Sequence, residues 1–315
     1  MISLNVAIIG SGPAGLAVAS KLVQNGFIVT VFDELSEFGG MLAYGIPNFR
    51  IPLESAKVKV DNAKKLGINF ENKKINSINE LIKGTEKNSA KKFDLVVIAI
   101  GAGIGVKAGF VNENSPFVID ALEFLLNDKL NNKKMVASGE IVGVIGGGNS
   151  AIDAVRVAKK QGANAKLIYR RTETEMPALK KEVMEAKNEG VEFEFLLSPK
   201  EFVENKNGKN ELICSIMELG EMDSSGRRKA VESTQTKKLI MDKVIVAIGQ
   251  QHKFDWLEKE GVKTNGKVIL VDENYSTSLN NVYACGDAVT GAKTIGEAVL
   301  GGTKCAESIL TKYKK

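Results

Sequence analysis

Histidine and tryptophan each occur once in 315 residues, and proline only six times. Cysteine occurs three times, as Cys214, Cys285 and Cys305, and no two of them form a CxxC pair. A histidine-built metal site is excluded by the single His252, and the cysteine spacing suits neither zinc nor an iron–sulfur cluster, so no metal site is expected. The low cysteine count fits a reducing cytosol. No apolar run reaches the length of a membrane span. No basic segment with an apolar core and cleavage site precedes the first strand pattern. A soluble, cytoplasmic protein is expected. Excess charge of one sign is also small: 43 Lys and Arg stand against 38 Asp and Glu, a net charge of +5. The two signs are interspersed, which argues against nucleic-acid binding and leaves a mild bias toward acidic partners.

Glycine is plentiful at 31 residues. Gly10-Ser11-Gly12-Pro13-Ala14-Gly15 follows an apolar run at residues 4–9, and Gly146-Gly147-Gly148-Asn149-Ser150-Ala151 follows another at 141–145. Each turn opens a helical pattern (14–24 and 150–161) that leads to a second strand pattern (27–32 and 165–169). In such a turn the first Gly permits the bend and the second lets the backbone approach a pyrophosphate. The third small residue lets helix and strand pack closely. The helix N-terminus adds unpaired N–H groups and partial positive charge. One such turn can be an ordinary βα connection. Two in the same context point to two dinucleotides in one chain, and hence to electron transfer between them.

The expected fold class is α/β, with two Rossmann-like dinucleotide-binding domains, the second inserted into the first. Residues 1–105 and 252–315 form one domain, and 106–251 the other. The 43% hydrophobic content is enough for two cores. Asp33 closes the second strand, placed to accept from a ribose diol. Residues 38–52 look too irregular for a helix, and an amphipathic helix is expected at 53–66. Strands are expected at 68–70 and 95–100, an exposed loop at 83–92 and a helix near 120–126. The second unit ends its second strand in Tyr169-Arg170-Arg171, with no acid at the tip. An arginine pair there can bind a ribose 2′-phosphate, so NADPH is expected over NADH. A solvated basic strand end is the plainer alternative.

A β-meander is expected from 192–196, 212–219 and 243–248, with a polar loop at 220–229. A strand is expected at 267–271. Val282-Tyr283-Ala284-Cys285-Gly286-Asp287 reads as a short strand ending in Gly-Asp, and Thr294-Ile295-Gly296-Glu297 opens a helix to about Leu310. Asp287 can accept from a ribityl hydroxyl, and the helix start can stabilise negative charge on a reduced flavin. Glu297 has two readings, a flavin-proximal carboxylate or a helix N-terminal charge. His252 lies in a polar link and reads as surface.

Residues 33–52 resemble the flavin-domain signature of the glutamate synthase small (beta) subunit, with its Gly-Gly-Met/Leu and Tyr-Gly-Ile-Pro-x-Phe-Arg/Lys runs. Residues 146–178 resemble the same family's NADPH domain, including Tyr169-Arg170-Arg171 and Glu175-Met176-Pro177-Ala178. The loop at 217–228 and the segments 245–250 and 284–302 also resemble it. Related modules occur in dihydropyrimidine dehydrogenase and in NADH-dependent ferredoxin:NADP oxidoreductase. The resemblance implies FAD in the discontinuous domain and NADPH in the inserted one. Gly10, Gly12, Pro13, Ala14, Gly15 and Asp33 would hold the adenosine-diphosphate half of FAD. Gly39, Gly40, Met41, Arg50, Gly101, Gly286, Asp287, Thr294 and Ile295 would line the flavin side. Gly146, Gly148, Asn149, Ser150, Arg170, Arg171 and Gly249 would hold NADPH. The family's cysteine-rich N-terminal iron–sulfur domain is expected to be missing here. Cys285 stands where Ala or Gly is usual, and reads as a packing substitute.

The expected activity is NADPH-dependent FAD oxidoreduction. Hydride passes from NADPH to FAD, and electrons then pass to an iron–sulfur protein, a glutamate synthase large subunit or a small acceptor. No protein acid or base is needed for that transfer. A ferredoxin–NADP reductase-type enzyme and a non-catalytic nucleotide-binding subunit stay open as alternatives. A thioredoxin-reductase-like activity is rejected for want of a CxxC.

Overall fold

The computed structural model describes residues 4–82, 93–205, 209–223, 226–252 and 254–313. The loop expected at 83–92 lies outside them. The chain divides into two compact units, Met1–Ile104 with Gln250–Lys315, and Gly105–Gly249.

The first unit opens with β1 (Asn5–Ile9), α1 (Pro13–Val23), β2 (Ile28–Asp33), α2 (Met41–Tyr44), α3 (Leu53–Lys65), β3 (Asn69–Asn72), α4 (Asn79–Ile82) and β4 (Leu95–Ile98), and the division falls within the two-residue β5 (Ile104–Gly105). The second unit holds β6 (Val118–Asp120), α5 (Ala121–Lys129), β7 (Ile141–Ile145), α6 (Asn149–Lys160), β8 (Asn164–Tyr169), α7 (Lys180–Asn188), β9 (Glu192–Phe195), β10 (Leu197–Val203), β11 (Glu211–Met222), β12 (Arg228–Ile240) and β13 (Lys243–Val246). The chain returns through β14 (Gln250–Gln251), α8 (Asp255–Glu258), β15 (Val282–Ala284), α9 (Asp287–Thr290) and α10 (Ile295–Tyr313).

In the first unit the sheet order is β15-β4-β1-β2-β3, all parallel. Its strands β1, β4 and β15 are apolar on both faces because both are covered, while the edge strand β3 is polar. Val6, Ile8, Val29, Val31, Leu95 and Val97 pack with α1 and α10, while Ala7, Ile9, Phe32, Val96 and Ile98 pack with residues of α4 and α8. Residues 38–52 are less irregular than expected. Bracketed by Gly40 and Gly45, α2 makes one helical turn whose Leu42 and Ala43 are buried with Ala56. The strand expected at 267–271 does not form, and only an isolated Thr264–Ile269 bridge is present. Asn265 Oδ1 accepts from the N–H groups of Lys267 and Val268, at 3.0 and 2.9 Å, and bends the chain away from a ladder.

In the second unit the parallel order is β6-β13-β7-β8-β9, with a separate antiparallel sheet β10-β11-β12. The expected meander is therefore corrected. β9 and β13 belong to the parallel sheet, and only β11 of the three belongs to the antiparallel one. The polar loop at 220–229 is also shorter than expected, because β11 runs to Met222 and β12 starts at Arg228. β12 shows no apolar alternation because it is a largely exposed edge strand.

Candidate functional site

At the first turn each glycine has its own reason. A Cβ on Gly10 would lie 2.3 Å from the Ala99 carbonyl oxygen, and one on Gly15 would lie 2.0 Å from that of Gly10. A Cβ on Gly12 would meet nothing within 4 Å. The outer glycines let strand and helix close up, and the middle one faces open space. α1 begins with Pro13 after Gly12, with no side-chain cap and no acid in its first turn. Its first N–H groups are left for an anion.

The loop at 38–41 crosses this turn. Gly40 has φ +56°, and a Cβ there would lie 2.7 Å from the Gly12 Cα. Ser11 holds the crossing together: its N–H and Oγ donate to Asp33 Oδ2 at 2.8 and 2.6 Å, and its Oγ accepts from Gly39 N at 2.9 Å. Leu35 N donates to Asp33 Oδ1 at 3.0 Å. Asp33 thus braces its own turn besides sitting at the strand tip. Burial, with the charges of Asp33 and Glu34, pushes the Tyr44 phenol up to about 12. Met41 is half-buried, and Arg50 sits in the turn after Pro47. Gly101 follows β4, and a Cβ there would meet nothing within 4 Å.

The returning segment reaches the same place. A Cβ on Gly286 would lie 2.7 Å from Ala14 Cβ, and one on Gly302 would lie 2.3 Å from the Ala14 carbonyl oxygen. Gly286 has φ +68° and aims Asp287 into α9. Burial raises the Asp287 carboxyl to about 6, and its buried Oδ1 has no hydrogen-bond partner. A hydroxyl donor would satisfy that oxygen, so the residue fits a ribityl chain. Ile295 packs on Leu42, Ala43 and Ala56, tying the start of α10 to α2.

Glu297 is occupied otherwise. It accepts from Thr294 N and Oγ1, at 3.1 and 2.8 Å, while its own N–H donates to Thr294 Oγ1 at 3.3 Å. This capping box, with Lys293 Nζ at 3.4 Å, favours the helix-start reading over the flavin-proximal one.

The second turn repeats the first. A Cβ on Gly146 would lie 2.3 Å from the Ala247 carbonyl oxygen, and one on Gly148 would meet nothing within 4 Å. α6 begins at Asn149 and Ser150, again with no side-chain cap and no acid in its first turn. Asn149 Oδ1 accepts from Leu179 N at 3.0 Å, Ala178 N donates to the Gly147 carbonyl at 3.1 Å, and Tyr169 OH donates to the Glu175 carbonyl at 2.9 Å. The Glu175-to-Ala178 segment is thereby laid over the turn. The Thr172 hydroxyl donates to the Glu175 carboxylate and holds it below the usual carboxylate range. Gly249 is exposed just after β13.

The arginine pair is split. Arg170 is exposed. Arg171 is only 5% exposed; its Nε donates to the Arg228 carbonyl at 2.6 Å and its Nη2 to Asp223 Oδ2 at 2.7 Å. Ser11, Asp223 and Arg228 were not expected among the site's supports. Ser11 is an unspecified position inside the first turn. Asp223 and Arg228 lie far from Arg171 in sequence.

All three cysteines are free and buried, and burial pushes the Cys214 thiol up to about 12. Among the described residues no group of three or more His, Cys, Asp or Glu could hold a metal, and no helix is long and apolar enough to cross a membrane.

A family model described as pyridine nucleotide-disulphide oxidoreductase matches residues 4–302. The chain is 37% identical over 310 residues to the NADP(+)-dependent formate dehydrogenase subunit beta of Moorella thermoacetica, covering 96% of this chain and 43% of that protein. It is 35% identical over 327 residues to the glutamate synthase [NADPH] small chain of Escherichia coli, covering 97% of this chain and 68% of that one. Against the first curated relatives it spans about half their length or less, 48% and 43%. Among solved structures, FprA, an oxidoreductase of Mycobacterium tuberculosis, matches with a TM-score of 0.80 at 16% identity over 99% of this chain and 85% of that one. The thioredoxin reductase of T. acidophilum matches with a TM-score of 0.75 at 22% identity, over 99% of each chain. These two likenesses speak to the fold.

Proposed function

The chain belongs to the pyridine nucleotide-disulphide oxidoreductase family, and from that premise we propose that it is an NADPH-dependent FAD oxidoreductase resembling the glutamate synthase small subunit. The carrying observation is the repeated turn. Gly12 and Gly148 each face open space at the start of an uncapped helix, next to glycines that packing requires: Gly10 and Gly15 in the first turn, Gly146 and Gly147 in the second. Residues 1–105 and 252–315 would hold FAD, with 106–251 holding NADPH. Gly12 and the N-terminus of α1 take the pyrophosphate, and Asp33 keeps Ser11 and Gly39 in place beneath it. Asp287 accepts from the ribityl chain. Gly148 and the N-terminus of α6 take the second pyrophosphate, and exposed Arg170 faces the 2′-phosphate. A bound flavin supplies the hydride acceptor, so the chain needs no acid or base of its own.

The NADP-dependent formate dehydrogenase subunit and the glutamate synthase small chain are named as parts of larger assemblies. Electrons would accordingly leave to another polypeptide in the cytoplasm, an iron–sulfur protein or a synthase large subunit. The test is an anaerobic absorbance titration. The purified protein is expected to be yellow with FAD and to bleach on NADPH addition. A preparation that binds only FMN, or whose FAD does not bleach, overturns the reading.

A further inference from the structure

We propose that Arg171 does not read the nucleotide but fastens the β11–β12 turn beside the tip of β8, so that Arg228 joins Arg170 as the cation pair facing the 2′-phosphate. This rests on the NADPH reading above. Arg170 and Arg171 follow β8 in a bend and differ in environment: Arg170 is exposed and Arg171 is buried. The Arg171 guanidinium is already committed to Asp223 and to the Arg228 carbonyl.

The buried guanidinium instead grips the turn at both ends. Nη2 donates to Asp223, where the turn leaves β11, and Nε donates to the Arg228 carbonyl, where β12 begins. The turn is closed from within as well. Asp223 N donates to the Arg227 carbonyl at 2.7 Å, and Gly226 N donates to the Asp223 carbonyl at 2.9 Å. The fork geometry of arginine suits such a two-point clasp, and lysine could not reproduce it. With its carbonyl held at the β8 tip, Arg228 has an exposed side chain. Its carbonyl lies 2.6 Å from Arg171 Nε, which keeps the residue beside the bend that carries Arg170. A dianionic phosphate beyond this tip would meet Arg170 from the strand and Arg228 from the turn.

The experiment measures kcat/KM for NADPH and for NADH with a dye acceptor, on flavin-loaded protein. The variants are Arg228→Gln, Asp223→Ala, Arg171→Ala and the last two combined. Wild type is expected to prefer NADPH. Arg228→Gln should lower the NADPH-to-NADH ratio about tenfold, as loss of one charge-assisted contact does. Asp223→Ala and Arg171→Ala should lower it by similar factors, and the double variant no further than the larger single one. Should Arg171→Ala fail to fold, Arg228→Gln decides, because it leaves the clasp to the main-chain carbonyl in place. The inference is overturned if Asp223→Ala keeps or raises the ratio while Arg171→Ala lowers it, or if Arg228→Gln leaves the ratio unchanged. A wild type without NADPH preference overturns the NADPH reading, and this inference with it, before any variant is compared.

Discussion

The two glycine-rich turns share a backbone plan and differ in what braces them. The first is braced by its neighbours: Asp33, at the tip of the next strand, binds Ser11 inside the turn, and Ser11 binds Gly39. At the matching strand tip of the second, Arg171 reaches outward to Asp223 and Arg228 of another sheet. The turn itself is covered by Ala178 and Leu179. The first strand tip is tied back to its own turn, and the second is tied to the ends of β11 and β12. On the proposed function, pyrophosphate binding and nucleotide discrimination would be carried by separate parts of the second unit.

The largest expected effect breaks what the turns share. Gly15→Ala places a methyl against the Gly10 carbonyl and should destabilise the protein by about 1–3 kcal/mol, with loss of flavin. Gly12→Ala should leave the apoprotein's melting temperature nearly unchanged, because its Cβ enters open space, yet still weaken flavin retention. Gly146→Ala and Gly148→Ala should repeat the contrast for nicotinamide nucleotide. Equal melting losses for Gly12→Ala and Gly15→Ala would remove the division of labour.

Asp287 distinguishes the first site from the second. Asp287→Ala should weaken flavin binding by about 1.5–3 kcal/mol, the range for a hydrogen bond to a charged group, read by flavin-release titration. A hydroxyl donor prefers the carboxylate, so flavin affinity should fall as pH drops through about 6. Asp287→Asn should flatten that dependence. The same shift has a stability sign: the folded value of about 6 lies above the ordinary 3.8. The flavin-free protein therefore gains from this group below 3.8 and loses that gain as pH rises through about 6.

A smaller effect sharpens the strand-tip contrast. Arg170→Ala should lower the NADPH-to-NADH ratio of kcat/KM by roughly tenfold, reduced from the buried-site range by solvent at the exposed tip. An unchanged ratio would remove Arg170 from phosphate recognition. The smallest effect is at Glu297. Glu297→Ala should lower the melting temperature slightly through loss of the Thr294 cap, while the anaerobic rate of flavin reduction stays the same. A large fall in that rate would restore the flavin-proximal reading.

The paired turns are legible from glycine spacing after an apolar run, although what requires Gly10 and Gly146 lies far along the chain, at Ala99 and Ala247. The order of the parallel strands around β1 and β7 follows from the same βαβ pattern. The burial of Arg171 is not legible in the sequence, because its partners Arg228 and Asp223 lie 57 and 52 residues away. β12 was illegible because an exposed edge strand carries no hydrophobic period. The 267–271 strand was lost to a side chain, Asn265, that captures two N–H groups a ladder would need. Glu297 did carry a readable signal, since Thr294-x-x-Glu297 has capping-box spacing.

The close approach of Gly286 and Gly302 to Ala14 sets an order of assembly. A ribosome makes Ala14 early and must finish α10 before the first turn can be packed, whereas every residue bracing the second turn is already made by Gly249. The inserted unit can therefore mature while its host is still half-written, and the flavin pocket closes last. Nascent chains stalled before α10 should resist limited proteolysis around residues 146–179 and be cut readily near residues 10–40.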